Sequence, residues 1–259
     1  MIVDLHNHTP LCNHAEGTIK EYINSAIKNS TKIFGFSDHA PMDFDPKYRM
    51  KFDEMQQYER DVLNAKKEYK DKIEILLGYE VDYLKGHMDE RVLYPDVDYL
   101  IGSVHFLEGW GFDNPEFIGR WESQNIDKIW QKYFDTIEEM AKSKLFDIVG
   151  HFDLIKVFKF MPKGNILTIA QKALKAIKKS GMVLELNVAG FRKDVAESYP
   201  SKTLLKEAYR LGIPITFASD AHKPEQVSLF NDEIIQLARA VGYKECAYFI
   251  KKEMKFLKF

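Results

Sequence analysis

Histidine and carboxylate side chains recur at the carboxyl ends of short apolar runs in this 259-residue chain. Seven of its eight histidines lie at or just beyond the end of such a run. Imidazole nitrogens and carboxylate oxygens are ligands that zinc, manganese and iron prefer in proteins. The candidate ligands are His6, His8, His14, His39, Glu80, His105, His151, Asp220 and His222. Because this donor set suits more than one ion, the sequence predicts a polynuclear metal site.

The spacing of these residues indicates how ions could be shared. One residue separates His6 from His8, and alternate residues of an extended segment point to the same side. Asp220 and His222 repeat this spacing near the other end of the chain. Glu80 has two carboxylate oxygens with which it could bridge neighbouring ions. Ions held about 3.5–4 Å apart activate water and stabilise in-line displacement at phosphorus, so phosphate-ester hydrolysis is the expected chemistry.

Each motif taken alone has a simpler explanation, because a histidine at a strand end often serves as a hydrogen-bonded core residue. The joint pattern is the stronger signal, since five predicted strand ends carry a histidine and a sixth carries a carboxylate. His87 lies outside this pattern and is interpreted as a solvated surface residue. Cys12 could donate a thiolate, but we interpret it as a small buried side chain that fills space.

The elements that must position these donors follow from the periodicity of the chain. Short apolar, β-rich runs alternate with longer stretches of helical period, which is typical of βα units around a parallel sheet. The predicted strands are residues 2–5, 33–37, 73–81, 99–104, 146–150, 183–188 and 215–219. The predicted helices are residues 18–30, 51–71, 122–143, 165–179, 201–211 and 233–242. In a barrel of parallel strands the loops after the strands meet at one rim, so an α/β barrel would gather the donors.

Two connections have no clear period. Residues 106–121 contain three glycines and five aromatic side chains, and residues 40–50 form a shorter connection of similar character. Long irregular connections of this kind often serve function. The basic run at residues 251–258 is interrupted by apolar side chains, which indicates an amphipathic C-terminal element. No linker, repeat or change of composition divides the chain, so we expect a single domain over residues 1–259.

The overall composition argues against several classes of partner. Hydrophobic residues make up 45% of the chain, charged residues 29%, and the formal net charge is -2. Binding to nucleic acid would require a concentrated basic face, and crossing a bilayer would require an apolar run of roughly 18 residues. The chain opens without a basic segment followed by an apolar one, and its two cysteines are far apart. We therefore expect a cytoplasmic protein with neither a nucleic-acid nor a membrane partner.

Several of these segments have a combined pattern that identifies a family. The motifs DLHNHTPLCNHAEG, GFSDHAP, LLGYEVDY, IGSVHF, DIVGHFDLI, LELNVAG and SDAH resemble the polymerase-and-histidinol-phosphatase (PHP) superfamily. Within it, HTPLCNHA, GSVHF, GHFDLIK and LNVAGFRK are more similar to the monofunctional histidinol-phosphate phosphatase branch than to the polymerase-associated branch. The resemblance implies a distorted (β/α)7 barrel of TIM-like type with three divalent metal ions, Zn, Mn or Fe, at the C-terminal rim.

The resemblance also implies how the ligands are distributed. One ion would be held by His6, His8, Glu80 and Asp220, a second by Glu80, His105 and His151, and a third by His14, His39 and His222. The implied reaction is hydrolysis of L-histidinol phosphate to L-histidinol and phosphate, in histidine biosynthesis, by a metal-bridged hydroxide. The alternatives are a phosphoesterase that acts on a nucleotide or on phosphotyrosine, and a metal-stabilised binding protein without turnover.

The phosphate and the leaving group require further contacts. Arg192 is the first candidate for binding the phosphate, and Lys156 is the second because the family pattern carries a basic residue after GHxDLI. The leaving group could be protonated by a metal-bound water, by Asp220 or by His222, and the sequence does not choose among them. The substrate's imidazole and ammonium groups would suit aromatic faces and a carboxylate, for which the candidates are Phe106, Trp110, Phe112, Phe117 and Asp43. The alternative is that these residues form a small satellite core.

Overall fold

Seven parallel strands form the central sheet of the protein, whose computed structural model describes residues 1–259. The strands of the chain are β1 (Val3–Asp4), β2 (Ile33–His39), β3 (Glu74–Asp82), β4 (Tyr99–Ser103), β5 (Phe106–Leu107), β6 (Trp110–Gly111), β7 (Ile148–Val149), β8 (Val183–Asn187), β9 (Ile215–Ala218), β10 (Glu245–Ile250) and β11 (Glu253–Lys258). The central sheet has the order β1-β2-β3-β4-β7-β8-β9, and β5-β6 and β10-β11 are separate antiparallel hairpins. The seven predicted strands are thus confirmed.

The first and last strands of this sheet come together and bring it close to a closed barrel. The amide of Leu5 donates to the carbonyl of Phe217 at 3.1 Å, and a parallel bridge joins Asn7 to Ala221 just beyond the strands. A sheet closed in this way has all its strand-following loops at one rim. The expected distorted (β/α)7 barrel is therefore confirmed.

Amphipathic helices cover the outside of the barrel. They are α1 (Ile19–Lys28), α2 (Met55–Tyr69), α3 (Glu90–Leu93), α4 (Ile126–Ser143), α5 (Ile166–Ser180), α6 (Lys202–Arg210) and α7 (Asn231–Val241). Thr18 and Glu21 form the capping box at the start of α1, and Gly181 ends α5 with φ +82°. Six helices match the predicted ones, because their caps and their buried stripes are visible in the sequence. The short α3 was not predicted.

The barrel interior is packed so closely that some positions admit only glycine. A Cβ atom on Gly35 would lie 2.0 Å from the hydroxyl oxygen of Tyr99. That hydroxyl donates to the carbonyl of Leu5 at 2.6 Å, and the ring of Tyr99 is fully buried. Gly35 therefore lets a side chain from β4 reach across the barrel and hold β1.

The structure shows two hairpins that the sequence pattern did not reveal. The 106–121 connection contains β5-β6, and a 3-10 helix, Pro115–Ser123, follows it. The basic C-terminal run forms β11, which pairs with β10, and most of its residues are exposed. None of the helices combines the length and the apolar character that crossing a bilayer requires.

Candidate metal centre

The predicted ligands converge on one cavity at the C-terminal rim of the barrel. The cavity has a volume of about 690 Å³, and seven of the nine predicted ligands line it. The other two, His6 and His8, are fully buried and do not line it. The ring centroids of His8 and His222 are 4.0 Å apart, although 214 positions separate them in the chain (222 − 8). The fold therefore brings distant donors into one cluster.

Within this cluster the donor atoms form groups of the size that holds an ion. Atoms within 4.8 Å of one another come from His6, His8 and Glu80, from Glu80, His105 and His151, and from His14, His39 and His222. Glu80 takes part in two of these groups, so its carboxylate lies where two ions could share it. Asp220 lies beside the first group, with Oδ1 3.4 Å from Nε2 of His8.

Several donor atoms of the cluster are buried without a hydrogen-bond partner. They include Nε2 of His6, Nε2 of His8 and Nε2 of His222. Buried polar atoms in folded proteins almost always have partners, so this concentration of unpartnered nitrogens requires an explanation. Cations would satisfy all of them, and imidazole with carboxylate is a donor set suited to zinc, manganese or iron. The residues present therefore fit a group of divalent ions.

Buried carboxylates fix the orientation of three imidazoles. The Nδ1 contacts are His6 with Glu185 at 2.7 Å, His8 with Asp38 at 3.2 Å, and His105 with Asp82 at 2.7 Å. When Nδ1–H donates to a carboxylate, the ring presents the lone pair of Nε2 on its other side. Such contacts also increase the basicity of a ligand. The rings are therefore oriented and polarised for coordination.

Sequence reasoning missed these three carboxylates. Asp38 precedes His39 in β2, Asp82 follows Glu80 by two residues in β3, and Glu185 lies in β8. Alternate strand residues share a face, so Asp82 could have been found from its spacing to Glu80. Nothing in the apolar context of Glu185 distinguishes it, except that a carboxylate in a buried strand requires a partner.

Several imidazoles of the site have shifted pKa values, and the shifts form two sets. In the first set, nearby carboxylates raise the pKa. Burial lowers the pKa of His6, but the negative charges of Glu185, Glu80 and Asp220 outweigh it and raise the pKa well above its usual range. Burial likewise lowers the pKa of His105, yet Asp82 and Glu80 raise it to about 10. This side of the site therefore attracts positive charge strongly.

The second set consists of neutral imidazoles. Burial, reinforced by neighbouring histidines, lowers the pKa of His14 and His222, and it lowers the pKa of His39 to about 4. A neutral imidazole has a free lone pair, which is the form that coordinates metal. These three residues are therefore prepared to bind a cation at neutral pH without first losing a proton.

The two predicted phosphate ligands lie in different places. Arg192 is half-buried on the cavity wall, and its guanidinium donates to the carbonyls of Ser219 at 2.9 Å and Asp220 at 2.8 Å. Lys156 does not reach the cavity wall. Its buried ammonium contacts Asp153 at 3.0 Å and donates to Glu197 at 2.7 Å, so its role as a phosphate ligand stays a prediction that these contacts do not favour. The 3-10 turn after β7 directs this side chain toward its acidic neighbours instead.

The predicted aromatic residues divide between the cavity and the core. Phe106 and Phe117 line the cavity, whereas Trp110 and Phe112 are buried in the hydrophobic core. Asp43 is exposed and faces His87, with Oδ1 3.3 Å from Nδ1 of that ring. Asp43 therefore does not line the cavity, and its role as a substrate contact stays a prediction that this position does not favour. His87 lies in a turn at the surface rather than in a helix.

Cys12 lies close to two of the histidines. Its sulfur is within 4.8 Å of donor atoms of His8 and His222, and the side chain is fully buried. Burial raises the pKa of the thiol, which keeps it protonated at neutral pH. Because the thiolate is the form that ligates metal, this supports the interpretation of Cys12 as a packing residue.

A parallel barrel that gathers imidazoles and carboxylates at the carboxyl ends of its strands defines a metal-dependent hydrolase. Comparison with known proteins identifies the family. The family model of the PHP domain matches residues 4–189. A protein of Deinococcus radiodurans named "Probable histidinol-phosphatase" is 37% identical over 246 residues, which are 93% of this chain and 94% of that protein. The histidinol-phosphatase of Bacillus subtilis is 31% identical, and the alignment covers 86% of this chain and 94% of that protein.

A solved structure agrees at the level of the fold. Histidinol phosphate phosphatase from Lactococcus lactis, complexed with zinc, L-histidinol and phosphate, matches with a TM-score of 0.79 at 19% identity, over 98% of each chain. This chain belongs to the PHP domain family. The resemblance seen in the sequence motifs is confirmed.

Proposed function

We propose that this protein is a histidinol-phosphatase, which hydrolyses L-histidinol phosphate to L-histidinol and phosphate. The observation that carries the proposal is a complete set of metal donors around one cavity, in a chain 37% identical to a named histidinol-phosphatase along nearly its whole length. A site that had lost its activity would be expected to have lost some of these donors. The reaction belongs to histidine biosynthesis.

We propose further that three divalent ions, Zn, Mn or Fe, bind in the cluster. The first would be held by His6, His8, Glu80 and Asp220, the second by Glu80, His105 and His151, and the third by His14, His39 and His222. Bound divalent ions lower the pKa of water toward ~7 and neutralise charge on the phosphoryl oxygens. The unpartnered nitrogens of the cluster support this assignment.

The side chains around the ions then bind and orient the substrate. Arg192 lies on the cavity wall, already fixed by two backbone carbonyls, and supplies a fixed positive charge for the phosphate. A guanidinium held in place before the reaction needs no reorganisation as charge develops on the equatorial oxygens. Asp220 and His222 face the same cavity and are the candidates for proton transfer to the leaving alcohol.

The test is a comparison of phosphate release from three esters by the purified protein, together with analysis of its metal content. We expect L-histidinol phosphate to have a much larger kcat/KM than a nucleoside monophosphate or a phosphotyrosine peptide. We also expect a chelator to abolish the activity and divalent ions to restore it. Comparable low rates on all three esters would refute the substrate assignment, and full activity after complete metal removal would refute the proposed site.

A further inference from the structure

One carboxylate of the cavity wall is not among the candidate metal ligands. Asp113 lies between β6 and the 3-10 helix Pro115–Ser123, and it lines the cavity. No hydrogen bond or ion pair joins its side chain to another side chain. The cavity carboxylates that lie on strands do have such partners. Asp82, for example, contacts both Arg49 at 2.9 Å and His105 at 2.7 Å.

The backbone around Asp113 holds it in place. Phe112 is fully buried, and its carbonyl accepts a hydrogen bond from the indole of Trp121 at 2.9 Å. On the other side, Asn114 caps the 3-10 helix by accepting a hydrogen bond from the amide of Glu116 at 2.9 Å. Both neighbours are thus anchored, so the backbone that carries Asp113 is held in place. A carboxylate withdrawn from bulk water is costly unless a positive group pairs with it.

The surroundings of Asp113 suit an organic cation with a flat ring. Phe44 and Phe106 meet edge to face on the cavity wall, with ring centroids 5.2 Å apart, and Phe117 is half-exposed in the same cavity. Aromatic faces attract cations and stack with flat rings. The opposite demand exists at Arg192 and at the divalent ions proposed above, which attract negative charge. The cavity therefore fits a molecule with an anionic end and a cationic end.

We propose that Asp113 binds the ammonium group of the leaving alcohol and so determines substrate specificity. This inference rests on the proposed function, because L-histidinol phosphate carries a phosphate at one end and an ammonium beside an imidazole at the other. With the phosphate at Arg192 and the metal donors, the ammonium pairs with Asp113 and the imidazole lies against the phenylalanines. Asp113 takes the place that the sequence had suggested for Asp43.

The test compares L-histidinol phosphate with 3-(imidazol-4-yl)propyl phosphate, which lacks the ammonium, in wild type and in Asp113→Asn. A hydrogen bond between charged groups is worth enough to make the wild type prefer the ammonium-bearing ester by about 10- to 100-fold in kcat/KM. Asp113→Asn should abolish most of this preference, and Asp113→Glu should retain part of it. Asp43→Asn is the matched control and should keep the wild-type preference, since Asp43 lies outside the cavity.

The outcomes separate this inference from the proposed function. If the wild type prefers L-histidinol phosphate but Asp113→Asn slows both esters equally, Asp113 acts on the metal centre and the specificity role is refuted. If Asp113→Asn keeps the wild-type rates on both esters, and with them the full preference, the specificity role is refuted as well. If the wild type has no activity on L-histidinol phosphate, the proposed function itself fails and the inference fails with it. Metal content and thermal melting of each variant show whether the centre and the fold are intact.

Discussion

Glu185 offers the sharpest test of how the metal centre is organised, because its two carboxylate oxygens serve different partners. Oε2 accepts from the backbone amide of His151 at 2.7 Å and from the side chain of Asn187 at 2.9 Å, whereas Oε1 faces Nδ1 of His6 at 2.7 Å. In Glu185→Gln the carbonyl oxygen must take the Oε2 position, because a backbone amide can only donate. The new NH2 group then faces His6, which must accept at Nδ1 and carry its proton on Nε2. That proton occupies the lone pair with which His6 would bind an ion.

The expected consequence is a loss of metal affinity in addition to a loss of stability of similar size. Removal of such an orienting carboxylate typically lowers metal affinity by about 10- to 100-fold, whereas the altered hydrogen bond costs about 1–3 kcal/mol of stability. Phosphate release measured against metal concentration should therefore shift to higher concentrations and recover in excess metal. Glu74→Gln is the control, since Glu74 begins β3 at the surface and pairs only with Lys66. An unshifted metal dependence in Glu185→Gln, with stability lowered, would refute the reasoning.

Three further substitutions test other parts of the site. His151→Ala should abolish phosphate release, yet the melting temperature should change little, and global unfolding would instead indicate a structural metal site. Asp82→Asn should cost about 3 kcal/mol in urea unfolding of the metal-free protein, because it leaves the buried Arg49 with only the more distant carboxylate of Asp45, 3.9 Å away. Burial raises the pKa of Asp82, but His105 and Arg49 outweigh burial and lower the pKa below its unfolded-state value. The stabilisation by the ionised carboxylate is therefore fully present above about pH 4, and the difference in unfolding free energy between wild type and Asp82→Asn should narrow as the pH falls below that value. Arg192→Lys should lower kcat/KM by about 10-fold or more, since lysine lacks the planar fork that grips phosphate, and an unchanged value would exclude Arg192 as a phosphate ligand.

The fold and the donor set could be predicted from the sequence because both depend on local periodicity. Each barrel strand is buried on both faces and therefore appears as an apolar run, as Ile33–His39 shows. A polar residue that ends such a run must lie at the rim. His105 and His151 were found in this way without any knowledge of which strands are neighbours.

The residues that the sequence could not place depend on side-chain direction and on distant partners. Lys156 follows a strand end as closely as the true cavity residues do, but its acidic neighbours draw the ammonium into a buried ion pair. Asp43 and Asp113 both lie in irregular loops, where no periodicity indicates which side chain faces inward. Only the hairpin β5-β6, which periodicity did not reveal, brings Asp113 to the cavity.

The hydrogen bonds that close the barrel also run through the metal donors, which couples the site to the fold. The amide of Asp220 donates to the carbonyl of His6 at 2.7 Å, and the amide of His8 donates to the carbonyl of Ala221 at 3.0 Å. Nearby, Asp4 accepts from the amide of Ser219 at 2.9 Å. A shift of β1 against β9 would therefore separate His6 and His8 from Asp220. Because an ion held by these side chains opposes that separation, metal binding should stabilise the closed barrel as well as provide the chemistry.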